Sequence, residues 1–213
     1  MNSRAATCFG LIRHAPTRWN EQKRIQGRQD SPLSELGRAM AESWGPQLAA
    51  FAWDRLICSD LERSAQTASL VNRSLHLPVI LNPGLREQDW GAWTGMTLKE
   101  INSEANSRVS NQEQRGWDFR PPEGESRREV LARSRAVLAD AHAGWPGEKI
   151  LLICHEGVIK CLLYHLLGRQ FMPDEPKVIL NFHLHLMAME EGILSLRKIN
   201  ALALHLATVG ESR

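Results

Sequence analysis

No stretch of this 213-residue chain is apolar for long enough to span a bilayer as a helix; the longest run, residues 158–167, is short and interrupted. Residues 1–7 lack the charged-then-apolar order of an export signal, so a cytoplasmic location is expected. Charge of one sign is also lacking. The net charge is +2 and the arginines are dispersed, without the dense basic run of a polyanion-binding tail. Neither nucleic acid nor membrane is therefore expected as a partner. The four cysteines, Cys8, Cys58, Cys154 and Cys161, show neither a CxxC pair nor zinc-ligand spacing. Cys8 and Cys154 fall in apolar runs, and reduced thiols packed in a core are the expectation.

What is present is ordinary for a folded domain: 43% hydrophobic and 23% charged residues, in a chain long enough for a real core. Short apolar runs alternate with longer periodic segments. Strands are expected at residues 8–12, 55–58, 77–81 and 150–154, and helices at 35–51, 61–74, 127–143 and 157–167. Ser34 is placed to cap the first helix, while Thr97-Leu-Lys-Glu100 and Ser126-Arg-Arg-Glu129 fit the reciprocal capping box. Two strands around Glu190-Glu191-Gly192 form a hairpin over 182–200, and the polar segment with Pro121-Pro122 makes a lid-like excursion over about 96–124. The alternation implies one three-layer α/β domain over 1–213 with a mostly parallel central sheet.

In open sheets of this kind ligands bind beyond the carboxyl ends of the strands. Arg13 and His14 follow the first strand. Ser59, Asp60 and, a turn later, Arg63 follow the second, Arg86 and Glu87 follow the third, and His155 follows the strand ending at Cys154. Imidazoles, guanidinium groups and a carboxylate on one rim suit phosphoryl transfer. Arginines match phosphate oxygens, a neutral imidazole is a nucleophile near neutral pH, and a carboxylic acid can protonate the leaving oxygen. Each residue alone has a plainer reading: His14 as a structural histidine, Arg63 as a solvated helix residue, Glu87 as a loop carboxylate, His155 as a helix cap.

Taken in order, the motifs point further. Leu11-Ile-Arg13-His14-Ala-Pro-Thr17-Arg-Trp-Asn20 resembles the signature of the histidine phosphatase superfamily, the phosphoglycerate-mutase-like group. Gln26-Gly27, Asp30, Pro32-Leu33-Ser34 and Gly37 resemble the segment that follows it. Ser59-Asp60-Leu61-Glu62-Arg63-Ser64-Ala65-Gln66-Thr67-Ala68 is similar to the second arginine motif, and Leu85-Arg86-Glu87 with Gly91, Trp93 and Gly95 to the acid-bearing segment. Pro122-Glu-Gly124-Glu125-Ser126 and Cys154-His155-Glu156-Gly157 complete the series, which covers about 8–168. The resemblance implies a phosphoglycerate-mutase-like fold and His14 as nucleophile. It implies Arg13, Arg63 and His155 around the phosphate, Glu87 as general acid and base, and Asn20 and Gln26 as further substrate contacts. Where the family commonly has glycine after the histidine, this chain has Ala15.

The implied activity is hydrolysis of a small phosphorylated metabolite without metal or cofactor, with phosphoglycerate-mutase-type transfer as the alternative and a non-catalytic phosphate-binding module as the remote one. Competing motifs are missing. There is no Gly-x-x-x-x-Gly-Lys loop and no Gly-x-Ser-x-Gly turn, and Ile159 stands where a zinc-protease helix begun by His155-Glu156 needs its second histidine. His183 and His185 would point the same way from a strand, with no third metal ligand in view. Arg108, Arg115, Trp117 and Arg120 lie in the excursion and are expected over the pocket. The C-terminal hairpin, with Phe182, Leu184 and Leu186, offers an edge for a homodimer.

Overall fold

The computed structural model describes residues 5–103 and 108–207. Six strands, β1 (Thr7–Arg13), β2 (Arg55–Cys58), β3 (Val79–Leu81), β4 (Lys149–Cys154), β5 (His183–Glu190) and β6 (Ile193–Ala203), form one sheet in the order β3-β2-β4-β1-β5-β6. Strands β3, β2, β4 and β1 run parallel, and β5 and β6 add an antiparallel hairpin to the β1 side. The helices are α1 (Arg18–Glu21), α2 (Glu35–Ala49), α3 (Glu62–Leu75), α4 (Leu98–Ser103), α5 (Arg108–Glu113), α6 (Arg127–Gly144) and α7 (Glu156–Leu166). None of the described helices is long and apolar enough to cross a membrane.

Three layers follow from the two-residue period of the strands. In β4, Ile150, Leu152 and Cys154 face Val130, Leu138, Val158 and Leu162 of α6 and α7. Leu151 and Ile153 face Met40, Trp44 and Leu48 of α2 and Ala68 and Val71 of α3. Every one of these strand residues is fully buried, which is why the inner strands read as continuous apolar runs.

Local hydrogen bonds set the element boundaries. Ser34 accepts the Gly37 N–H and starts α2, and Ser126 with Glu129 closes a capping box at α6. Thr97 and Glu100 do the same before α4. The hairpin turns at Glu191 and Gly192 with φ of 49° and 79°, the paired left-handed conformations that match the strand twist.

Two expectations are corrected. Cys8 is exposed, whereas Cys58, Cys154 and Cys161 are buried; the alternation turns Cys8 away from Thr7 and Phe9, at the amino end of its strand, where nothing covers it. The excursion is not a plain polar loop. Besides α4, which the Thr97–Glu100 capping box announced, it carries α5 and a 3₁₀ turn at Gly116–Asp118, and Ile101, Val109 and Phe119 pack with Trp93 into a small core of their own. Residues 104–107 of that segment lie outside the described residues. In the hairpin, Leu184 is fully buried, and Phe182 and Leu186 pack on the α2 side of the core. The three side chains thus serve this chain's own interior, and the sheet edge belongs to β6.

Candidate active site

Parallel pairing in register brings the two histidines together. Arg13 lies opposite Cys154 in the β1–β4 ladder, and the His14 N–H continues it to the Cys154 carbonyl at 2.9 Å. The next residue of each strand, His14 and His155, therefore projects from the carboxyl ends side by side, with ring centroids 5.1 Å apart. His14 is 2% exposed and His155 fully buried.

The tautomer of His14 is fixed from both sides. Its Nδ1 lies 2.8 Å from the Ala15 carbonyl, which can only accept, so Nδ1 carries the proton. Arg63 Nε–H donates to Nε2 at 3.3 Å, leaving that nitrogen with its lone pair toward the guanidinium group. Burial, then the charges of Arg13 and Arg63, hold the His14 pKa well below the usual imidazole value. His155 is held low by burial first, then by Arg63, His14 and Arg13. Both its ring nitrogens are buried without a hydrogen-bond partner among the described residues, a costly arrangement that an arriving anion's oxygen can relieve at the protonated nitrogen.

Arg63 is 1% exposed and aimed by three acceptors: Nη1 donates to the Gln29 carbonyl and Asp30 at 2.8 Å each, and Nη2 to the Gly27 carbonyl at 2.7 Å. Arg13 is held by Glu156, Nη1 to Oε2 at 2.6 Å, and Glu156 also takes Lys160 at 2.5 Å. Burial pushes the Glu156 carboxyl up, but Arg13 and Lys160 outweigh it and keep it below its ordinary value. Asn20 spends its amide oxygen on the Thr17 backbone N–H in the capping box of α1, which leaves its amide nitrogen as a donor. The Gln26 amide oxygen is buried and has no hydrogen-bond partner among the described residues.

Glu87 reaches the amino end of α7, where its carboxylate accepts the Gly157 N–H at 3.1 and 3.3 Å. Only a glycine permits this approach, since a Cβ at 157 would stand 2.3 Å from Glu87 Oε1. Ala15, the departure noted in the sequence, is fully buried in the α2-side core, and its N–H donates to Thr67 Oγ1 at 3.0 Å. The extra methyl is core packing and leaves the rim unobstructed.

Arg13, His14, Asn20, Gln26, Arg63 and Glu87 line one cavity of about 390 Å³, with His155 behind His14. Four residues expected nearby go elsewhere. Arg86 is taken by Asp60, at 2.8 and 2.5 Å. Trp117 donates to the Arg169 carbonyl and stacks edge-on to Phe171, Arg120 pairs with Glu129, and Arg115 bonds Gln112, so none of the three covers the cavity. Nothing is described of the Arg108 side chain. The cavity instead presents Lys23, Arg24, Arg127 and Lys160, beside the apolar Ile25, Trp90, Leu98 and Phe119. Of these only Lys160 had a readable signal, its four-residue spacing from Glu156 on a helix. His183 and His185 lie apart from the cavity lining. His183 Nδ1–H donates to the Asn181 carbonyl, and buried His185 accepts the Asn200 N–H. Among the described residues no cluster of three or more His, Cys, Asp or Glu side chains is arranged to hold a metal ion.

A model of the histidine phosphatase superfamily (branch 1) matches residues 9–201. The chain belongs to that superfamily. Among its relatives, the Bacillus subtilis phosphatase PhoE is 32% identical over 162 residues, 76% of this chain and 78% of that protein. The probable phosphoglycerate mutase GpmB of Cronobacter sakazakii is 34% identical over 167 residues, 74% of each. A solved structure of the mycobacterial glucosyl-3-phosphoglycerate phosphatase superposes with a TM-score of 0.77 at 30% identity, covering 92% of this chain and 99% of that one. These relatives thus carry both phosphatase and mutase names.

Proposed function

We propose that the chain is a metal-independent phosphatase that hydrolyses a small-molecule phosphomonoester through a phosphohistidine on His14. The observation that carries this reading is the setting of His14: Nδ1–H committed to a carbonyl, an unprotonated Nε2 that accepts from Arg63 Nε–H, and burial and flanking cations that hold the ring's pKa low. In this reading Nε2 attacks phosphorus in line, forming the N–P bond as the P–O bond to the leaving group breaks. Arg13, Arg63 and His155 stabilise the equatorial oxygens, and the unpaired nitrogens of His155 support that role. Glu87, as the acid, gives its proton to the departing oxygen. The resulting carboxylate then takes a proton from water as that water attacks the phosphohistidine, releasing phosphate and restoring both groups. Asn20 and Gln26 bind the ester beside them.

The test is phosphate release from a panel of phosphomonoesters in EDTA, for wild type and His14→Ala. Turnover in EDTA that falls at least about 10³-fold in the variant supports the proposal. Undiminished turnover in His14→Ala rejects it. Resemblance to probable phosphoglycerate mutases keeps a second reading alive, in which the phosphoryl group passes to another hydroxyl of a retained sugar acid. Isomerised phosphoglycerate appearing faster than free phosphate would favour that reading.

A further inference from the structure

The cavity holds four cations that the mechanism above does not use, Lys23, Arg24, Lys160 and Arg127, and of these Arg127 is the one seated against two aromatic rings. Arg127 opens α6 directly after its cap, Ser126. Its guanidinium carbon lies 4.3 Å from the centre of the Phe119 ring and 4.4 Å from that of Phe171, and all three residues line the cavity that contains His14. Aromatic rings over a planar cation leave its edges for ligands. One edge is committed: Nη1 donates to the Gly116 carbonyl at 2.9 Å and, at 3.5 Å, to that of Phe171. These are the only hydrogen bonds of the side chain among the described residues, so the Nε–Nη2 edge is open.

Its neighbours are not like this. Arg120, Arg128 and Arg133 are paired with Glu129, Asp118 and Glu125, whereas Arg127 has no carboxylate within ion-pair distance among the described residues. Burial holds its pKa below the ordinary guanidinium value, the mark of a cation partly stripped of water. Of the cavity acids, Glu156 is shared by Arg13 and Lys160, Glu87 is turned to the Gly157 N–H, and Glu113, whose charge favours the Arg127 cation, makes no ion pair with it among the described residues. The same cavity presents Ile25, Trp90, Leu98 and Val109 together with the polar Lys23, Arg24, Gln88 and Glu113.

We propose that Arg127 is a specificity-determining residue that binds an acid group, carboxylate or second phosphate, on the leaving group of the substrate. The preferred ester then has a phosphate at His14, a spacer long enough to cross the cavity, and an anion in the two-pronged grip of the Nε–Nη2 edge. This rests on the phosphatase reading only for the placement of the first phosphate.

Non-hydrolysable phosphonates separate the two ideas. Calorimetry would compare alkylphosphonates, ω-phosphonocarboxylates and α,ω-bisphosphonates of matched chain length, bound to wild type, Arg127→Met and Arg127→Lys. The expected result is an acid advantage of about tenfold or more at one chain length in wild type, close to one in Arg127→Met and partly retained in Arg127→Lys. Which of the two acids gains the advantage identifies the group that Arg127 takes. Equal affinity for acid and alkyl ligands at every length would overturn the proposal, as would an advantage that survives Arg127→Met. Because nothing is turned over, these outcomes stand whatever phosphate release and His14→Ala say of the phosphatase reading.

Discussion

The Asp30 carboxylate grips Arg63 twice, accepting Nη1 at 2.8 Å and the backbone N–H at 3.3 Å. It also takes the Glu62 N–H at 2.9 Å, and so caps α3 from a distant loop, because the N-cap residue Leu61 offers no side-chain acceptor. One carboxylate therefore couples the start of a helix to the aim of a buried cation. Asp30→Ala should cost about 1–2 kcal/mol in urea unfolding, the range of a lost cap. It should also raise KM for phosphate esters as the Arg63 fork loses its direction. A variant with a wild-type KM would show that the Gln29 and Gly27 carbonyls alone position Arg63.

His14 is expected to be neutral at pH 7 because burial, Arg13 and Arg63 all oppose its protonation. An NMR titration of histidine ring carbons should place its midpoint below about 6.5, the unperturbed value. Arg13→Met removes one of the opposing charges and should move the midpoint upward. A midpoint at or above 6.5 in wild type would leave His14 largely cationic near neutral pH, and its part as nucleophile would fail.

How much of this was readable in the sequence depends on how local the cause was. Ser34, Thr97 and Ser126 announced helix starts because a cap is written within four residues. Arg13, His14, Arg63, Glu87 and His155 could be grouped because strand ends converge in a parallel sheet, and the structure does bring them together. Arg86 shares that address, yet it is diverted by Asp60, a partner 26 positions earlier that only the fold brings near. Arg127 and Trp117 were beyond reach for a related reason. Gly116, at φ 54°, bends the chain so that Trp117 meets Phe171, and Arg127 is left beside the cavity. No periodicity encodes that bend.

His185 ties stability to pH. Burial, and next the charge of His183, lower its pKa to about 4, from about 6.5 in an unfolded chain. A depressed folded pKa means that the unfolded chain binds the proton first on acidification. The contribution is complete above pH 6.5 and is lost progressively as pH falls toward 4, about 3 kcal/mol over the window. His14 and His155 act in the same direction. His185→Gln keeps an acceptor for the Asn200 N–H but does not titrate, so its urea midpoint should fall less between pH 6.5 and 4.5. Identical falls in the two proteins would rule His185 out as a source.

Gly157→Ala tests the proposed role of Glu87 without touching Glu87. The new methyl group would stand 2.3 Å from Oε1, and the carboxylate, as the flexible end of its side chain, must give way. Position 157 lies in the first turn of α7, where alanine is the better helix former, so thermal stability should hold or rise slightly. Turnover should nevertheless fall, by about 10²-fold if proton transfer to the leaving oxygen is what the displaced carboxyl provided. The loss should depend on the leaving group. Alkyl phosphates need that proton and should suffer most, while 4-nitrophenyl phosphate, whose phenolate leaves unaided, should suffer least. Glu87→Gln should show the same ordering more strongly. A loss of equal size for alkyl and nitrophenyl esters in both variants would mean that Glu87 orders the site without serving as its acid.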